Sequence, residues 1–216
     1  MLAAIFMPSQ INMYNTGKPS EFGTLGYYDL LEWWNTEFDL NERLYISQKY
    51  KPMGGGGLTS GQVMGSSASA VNFLTGLQSW FTNLSDQAIS QKILLKAEQI
   101  ITEETPILDI HFLYLALLEH YYKNRKVNSK YFDLAKIYCV KQIEIATLTK
   151  PKFIEEFGFL PRHKGYEQLA IILENEYNYI EALSLSNQAK KEGWKSDWDK
   201  RILKLETKLI KLKNRC

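Results

Sequence analysis

The sequence predicts an all-α protein of antiparallel helical hairpins, and three observations carry that prediction. Apolar residues recur at helical spacing in segments spaced roughly twenty residues apart, while the alternating pattern of strands is nearly absent. Glycine and proline clusters punctuate those segments where helices must stop. Alanines stand at 170, 182 and 189 inside two short apolar stripes, and two helices approach closely only where side chains are small.

The elements follow in chain order. Residues 1–24 read as a flexible arm. The start MLAAIFMPSQ has no basic opening segment, and its apolar run stops at Met7 before Pro8. That is not the layout of a secretory signal. Tyr27 to Phe38 reads as an aromatic-rich helix with Leu30, Leu31 and Trp34 inward. Asp39 followed by Glu42 is a capping-box signature for a helix running to about Tyr50. Residues 51–67, with Pro52, Gly54 to Gly57, Gly61 and Gly65, form a Gly-rich flexible loop of unusual length. Ser66 or Ser67 then caps a helix bearing Val71, Leu74, Leu77, Trp80 and Phe81, and Ser85 opens the next, with Ile89, Ile93, Leu94 and Ala97.

Pro106 is read as the boundary between an N-terminal helical region, 25–105, and a second region, 106–216. Helices are expected over 110–123 and 130–148, then a short one from Thr149 and Pro151 to Gly158. Tyr166 to Leu173 and Asn178 to Ala189 form the hairpin with the alanines, closed by Gly193. Ser196 and Asp199 open a C-terminal capping helix with Trp198, Ile202, Leu205, Leu209 and Leu212 as its apolar stripe.

Composition narrows the function classes. Of 216 residues, 45% are hydrophobic and 23% charged, as in ordinary globular proteins, and the formal net charge is +2. Residues 1–107 hold 6 Lys/Arg against 10 Asp/Glu, and residues 108–216 hold 20 against 14, so an acidic front meets a basic back. Two cysteines make no disulfide framework; Cys139 reads as a buried apolar residue and Cys216 as an exposed terminal one. No stretch reaches the ~20 apolar residues that span a bilayer, so a cytoplasmic protein without a membrane partner is expected.

The spacing of Tyr166, Leu169, Ala170, Leu173, Tyr179, Ala182 and Ala189 resembles a tetratricopeptide repeat over about 30 residues. Ser186 stands where that family usually has an aromatic, and Trp194 where it usually has proline. The segment from Phe112 to Ala146 is similar in outline, with Ala116 and Ala135 as close-contact residues. The resemblance implies a tetratricopeptide-like α-solenoid in the C-terminal half that binds an unidentified protein or peptide along a groove. The first helix of each hairpin would line that groove with Leu113, Leu117 and His120, then Lys164, Glu167, Ile171 and Glu174. The basic and asparagine residues that clamp a carboxylate in some relatives are mostly replaced, with Glu167 and Ile171 at such sites. The whole layout, with Trp33-Trp34 and the Gly-rich loop, also resembles small bacterial proteins of the same arrangement, a likeness that carries architecture and no activity.

Chemistry-bearing motifs are sparse. The run Gly54 to Gly61 could let backbone amides approach an anion, yet it lacks the lysine and the strand–loop–helix setting of a phosphate-binding loop. His111 and His120 are nine residues apart, about 900° of rotation at ~100° per residue, and so fall on opposite helix faces; no metal site is expected. One of the two is expected to be exposed and the other packed. Neither a Ser-His-Asp nor a Cys-His set can be assembled, so no catalytic residue and no cofactor are expected. An enzyme would need carboxylates or histidines to converge under the Gly-rich loop near Trp34 and Thr59. The alternative function is nucleic-acid contact through the basic last helix, by Lys200, Arg201, Lys204, Lys208 and Lys211. Asp197, Asp199 and Glu206 dilute that stripe, and no aromatic residues interleave it.

Overall fold

The computed structural model describes residues 18–52 and 57–214, and every described segment of regular structure is helical. Eleven α-helices are formed among them: α1 (Gly23–Tyr27), α2 (Leu31–Glu37), α3 (Leu40–Lys49), α4 (Ala70–Gln78), α5 (Gln87–Gln99), α6 (Ile107–Lys123), α7 (Lys130–Glu144), α8 (Ala146–Phe157), α9 (Lys164–Asn175), α10 (Tyr179–Glu192) and α11 (Trp198–Lys213). A single 3-10 turn, Leu84–Asp86, leads into α5. None of these helices is long and apolar enough to cross a membrane.

Packing proceeds hairpin by hairpin. The pairs α4/α5, α6/α7 and α9/α10 each fold back on themselves, α6 lies against both α4 and α5, α7 carries α9, and α11 closes the last hairpin against α10. Ala170, Ala182 and Ala189 are fully buried, as their role at the α9/α10 contact requires. Ala135 is likewise buried at the α6/α7 level, whereas Ala116 faces a crevice.

The apolar core divides elsewhere than at Pro106. One continuous cluster runs from Leu25 through Leu77, Ile93, Leu113 and Leu117 to Cys139, joining α1 through α7. A second cluster gathers Leu108, Phe153, Leu160, Tyr166, Trp194 and Trp198, and a small third one joins Tyr179, Ala182 and Leu205. The seam therefore lies between α6/α7 and the C-terminal helices. A proline at a helix start interrupts the backbone pattern without separating the side-chain layers on either side.

Several local expectations change for physical reasons. The single helix expected over Tyr27 to Phe38 is two, because Asp29 adopts the left-handed region (φ 57°) between them. The arm expected over residues 1–24 is tied down from Lys18 onward, and residues 1–17 lie outside the described residues. Lys18 donates to the Tyr27 carbonyl at 3.0 Å, and Ser20 exchanges backbone bonds with Val63. The Gly-rich loop is anchored on both sides of Met53–Gly56, which themselves lie outside the described residues. Its Leu58 is core, its Gly57 and Leu58 carbonyls accept from Thr24 and Leu25, and Tyr28 donates to the Ala68 carbonyl at 2.7 Å. Gly23 makes this docking feasible: its φ is +65°, and a Cβ there would lie 2.3 Å from the Gly57 carbonyl oxygen.

Caps account for other shifts. The Asp39–Glu42 capping box forms with both bonds, at 2.9 and 3.0 Å. Ser69, rather than Ser66 or Ser67, caps α4 by accepting from Asn72. Asn178 precedes α10 but its amide turns to Glu181 instead of the backbone. The helix expected from Thr149 begins at Ala146, so Pro151 lies inside it. Gly158 and Gly193 close α8 and α10 as expected.

Candidate functional site

A crevice of about 360 Å³ lies between α4, the start of α5 and α6. It arises because α6 is too apolar to have one inner face. Leu113, Leu117 and Leu118 fill the main core, which leaves Phe112, Leu115, Ala116, Glu119 and Lys123 along the opposite stripe. Thr75, Gln78 and Ser79 at the end of α4 form the facing wall, and Phe81, Gln87 and Ser90 form the floor and one end. Phe112 is 37% exposed at the rim.

A short polar chain runs beneath the apolar walls. The Gln78 side-chain amide donates to Ser90 Oγ at 2.9 Å, and Ser90 Oγ lies 3.1 Å from His120 Nδ1. Ser90 Oγ can both donate and accept, so the donor in its bond to His120 Nδ1 is set by the imidazole tautomer. His120 Nε2 and Asn124 Oδ1 have no partner, although both residues are buried. Burial pushes His120 down to about 4, so it is neutral at pH 7. Among the described residues no carboxylate hydrogen-bonds to His120, so Ser90 and His120 lack there the orienting third group of a nucleophilic triad. The crevice can hold an apolar side chain against Phe81, Phe112, Leu115 and Ala116, with amides and one cation, Lys123, at its edges.

The structure places the groove expected on α6 and α9 differently. Leu113 and Leu117 have no exposure, being core residues between α6 and its neighbours, and cannot line an open surface. His120 is buried and reaches the crevice only as part of its polar chain. Glu167 is buried against Arg162 Nε (2.8 Å) and Ser196 Oγ (2.6 Å). Glu174 is buried under α11. Lys164 and Ile171 remain half-buried and apart from the crevice. The seven residues therefore form no common face: the most apolar stripe of a helix goes to the core, and α9 sends its acids toward α11 and the preceding loop.

The basic last helix is also spent differently. Glu174 Oε1 accepts from Lys204 (2.6 Å) and Lys208 (2.7 Å), and Oε2 lies 3.4 Å from Arg201 Nη1. Lys190 pairs with Asp199. Lys200 and Lys211 stay exposed, but the outer face between them carries Leu203 (66% exposed) and Ile210 (59% exposed). Three of the five cations expected to meet phosphate thus neutralise one internal carboxylate.

The histidines are all buried, not one exposed and one packed. Cys139 is buried too, its thiol pushed up to about 12 mainly by burial, while Cys216 lies outside the described residues. Among the described residues no three His, Cys, Asp or Glu side chains converge to hold a metal ion. A depression does exist beside Trp34 and Thr59, but Phe22, Leu31, Leu40 and Leu44 dominate it and, among the described residues, no carboxylate or histidine lines it. Gln78, Ser90 and Asn124 were missed by sequence reasoning. The available signal was Ser90 set directly beside Ile89 on the apolar stripe of α5, and Gln78 closing an otherwise apolar α4. Searched against family models, curated proteins and solved structures, the chain matches none.

Proposed function

We propose that this protein is a non-catalytic binding module that captures a peptide segment of a partner protein in the α4–α6 crevice. The observation that carries this is the crevice itself: an apolar space at the low end of ligand-site volumes, with amide groups placed around it. An aromatic or branched aliphatic side chain of the partner would fill the space. Gln87, Asn83 and Glu119 would meet the polar backbone on either side. Burial of that anchor supplies the affinity, and the rim charges of Glu119 and Lys123 set the direction of the bound segment.

The succession of hairpins α4/α5, α6/α7 and α9/α10, closed by α11, supports a tetratricopeptide-like arrangement in which first helices face the ligand. On this reading the binding face is α4 and α6, one stripe round from the groove expected in the sequence. A reducing, cytoplasmic setting agrees with the buried free thiol of Cys139.

The test is selection of peptides from a random display library on the full chain, followed by calorimetry. Ala116→Trp, which fills the crevice, should weaken the best peptide at least tenfold, whereas Lys200→Glu should leave it unchanged. Equal binding by Ala116→Trp, or no enriched peptide, contradicts the proposal. Retention of nucleic acid that weakens steeply with salt would instead favour the alternative through Lys200, Lys211 and their neighbours.

A further inference from the structure

A second polar cluster lies far from the crevice, at the seam between the main core and the C-terminal helices. His111 of α6 and His163, just ahead of α9, meet edge to face with ring centroids 5.1 Å apart. Phe153 of α8 covers His111, and Trp194 and Tyr166 cover His163, at 5.0, 4.6 and 4.9 Å. Neither histidine has significant exposure. We propose that the His111–His163 pair is an acid-sensitive latch: protonation releases α8–α11 from α6/α7 while the main core stays folded.

The hydrogen-bond directions make the latch. Gln142, fully buried on α7, accepts the Gly165 amide hydrogen through Oε1 at 2.7 Å, which fixes its NH₂ toward His111. That NH₂ donates to His111 Nε2 at 3.2 Å, so Nε2 is the acceptor and Nδ1 carries the proton. Charging His111 would set N–H against N–H, and flipping Gln142 to relieve this would break its bond to α9. His163 is placed likewise. Its Nδ1 accepts the Tyr166 amide hydrogen at the first turn of α9, so a proton there would undo the helix cap. The remaining nitrogens, His111 Nδ1 and His163 Nε2, make no hydrogen bond, and only the backbone carbonyls of Gln142 and of His163 itself favour a charge on His163.

Among the described residues no neighbouring charge relieves the pair. On α6, Asp109 is committed to Ser69 and Asn72. On α7, Cys139 is neutral and Lys141 reaches Glu98. Lys150 of α8 bonds the Glu192 carbonyl, and Arg162 bonds Glu167. Lys164 of α9 lies toward Cys139. Glu192 of α10 accepts from Tyr166 Oη and Trp194 Nε1 rather than from either imidazole. Burial, with the His163 charge second, pushes His111 down to about 3, and burial pushes His163 down to about 4 against the pull of nearby backbone carbonyls.

When the seam opens, both imidazoles enter water and regain an ordinary affinity for protons. At pH 5 that favours opening by about 25-fold for each histidine and about 500-fold for both, relative to pH 7. Hydrogen exchange at pH 7 and pH 5, corrected for intrinsic rates, reads this directly. Protection in α9 and α10 should fall by about that factor and at pH 5 stand well below that in α4 and α5, which exchange only when the main core opens as well. The double variant His111→Gln, His163→Asn keeps an acceptor at each position without a titrating ring, and its α9 and α10 protection should not fall between the two pH values. Equal protection factors in α4, α5, α9 and α10 at pH 5, or a double variant with the wild-type profile, overturns the latch. Should that variant not fold, NMR titration of wild-type imidazoles decides: resonances of His111 and His163 that do not titrate above pH 5 support it, and a midpoint above about 6 for either overturns it.

Discussion

Glu174→Gln is the most informative single change, because one carboxylate organises the last hairpin. Glu174 is 6% exposed, and Arg201, Lys204 and Lys208 converge on it from α11. Burial alone would raise its pKa; bonds from Lys204 and Lys208 more than reverse that and hold it below the usual carboxylate value. The substitution keeps the shape and removes the charge. A charge-assisted bond in a buried site contributes about 1.5–3 kcal/mol, but an exposed ion pair contributes only about 0.2–1. Here the acid is buried while the side chains of Arg201, Lys208 and Lys204 are 23%, 36% and 58% exposed. About 1 kcal/mol for each of Arg201 and Lys208, and less for Lys204, gives a loss of about 2–3 kcal/mol. Urea denaturation followed by helical circular dichroism measures it, with Glu174→Gln/Lys204→Met and Glu174→Gln/Lys208→Met closing double-mutant cycles. The variant also frees three cations, so non-specific affinity for nucleic acid at low salt should rise. A loss below about 0.5 kcal/mol, with nucleic-acid affinity unchanged, would refute the view that α11 spends its charge internally.

Other outcomes follow from the same structure. Leu117→Ala, at a position without exposure, should cost about 2–5 kcal/mol in thermal or urea unfolding while leaving peptide affinity intact; a groove residue would show the reverse. Gly165→Ala would bring a Cβ to 2.8 Å from the Cys139 carbonyl oxygen and 2.9 Å from Gln142 Oε1. It should destabilise the α7/α9 contact by about 1–3 kcal/mol, seen as a lower urea midpoint. Acid should act in two windows. His111, His120 and His163 all have depressed pKa values, about 3, 4 and 4, so the native state binds fewer protons than the unfolded chain. Their contribution is present above the ordinary histidine value near 6.5 and is lost as pH falls, by about 2 kcal/mol each at pH 5. Asp86 and Glu174, whose pKa values are lowered, add their losses only as pH falls below about 4. Urea midpoints measured from pH 7 to pH 4 should therefore decline well before the carboxylates titrate, and a flat profile down to pH 5 would contradict the assignment.

Much of the fold was legible because its cues are local. The Asp39–Glu42 box, Gly158, Gly193 and the alanines at 170, 182 and 189 each require only neighbouring backbone or one contact, and each stands where expected. The division of the core was not legible. Pro106 breaks a sequence pattern, yet Leu113 and Leu117 beyond it pack with Leu74 and Ile93 before it. The candidate site was displaced by about one residue on α6. Both stripes of that helix are apolar, and only the positions of α4 and α5 decide that 113 and 117 go inward while 112, 115 and 116 line a space. The pairing of the charges on α11 was not legible for a related reason: composition shows Arg201, Lys204 and Lys208 but not the buried Glu174, 27 residues before Arg201, on which they converge. His111 and His163 meet across 52 residues of chain, so their pairing had no sequence signal at all.

The binding role of the crevice is tested most directly by an amide NMR titration of the full chain with its best selected peptide. The account predicts saturable shifts concentrated on Gln78, Ser79, Asn83, Ala116 and Glu119, with α9 to α11 nearly silent. Shifts confined to α9–α11, or none at a peptide concentration that saturates binding, would contradict it.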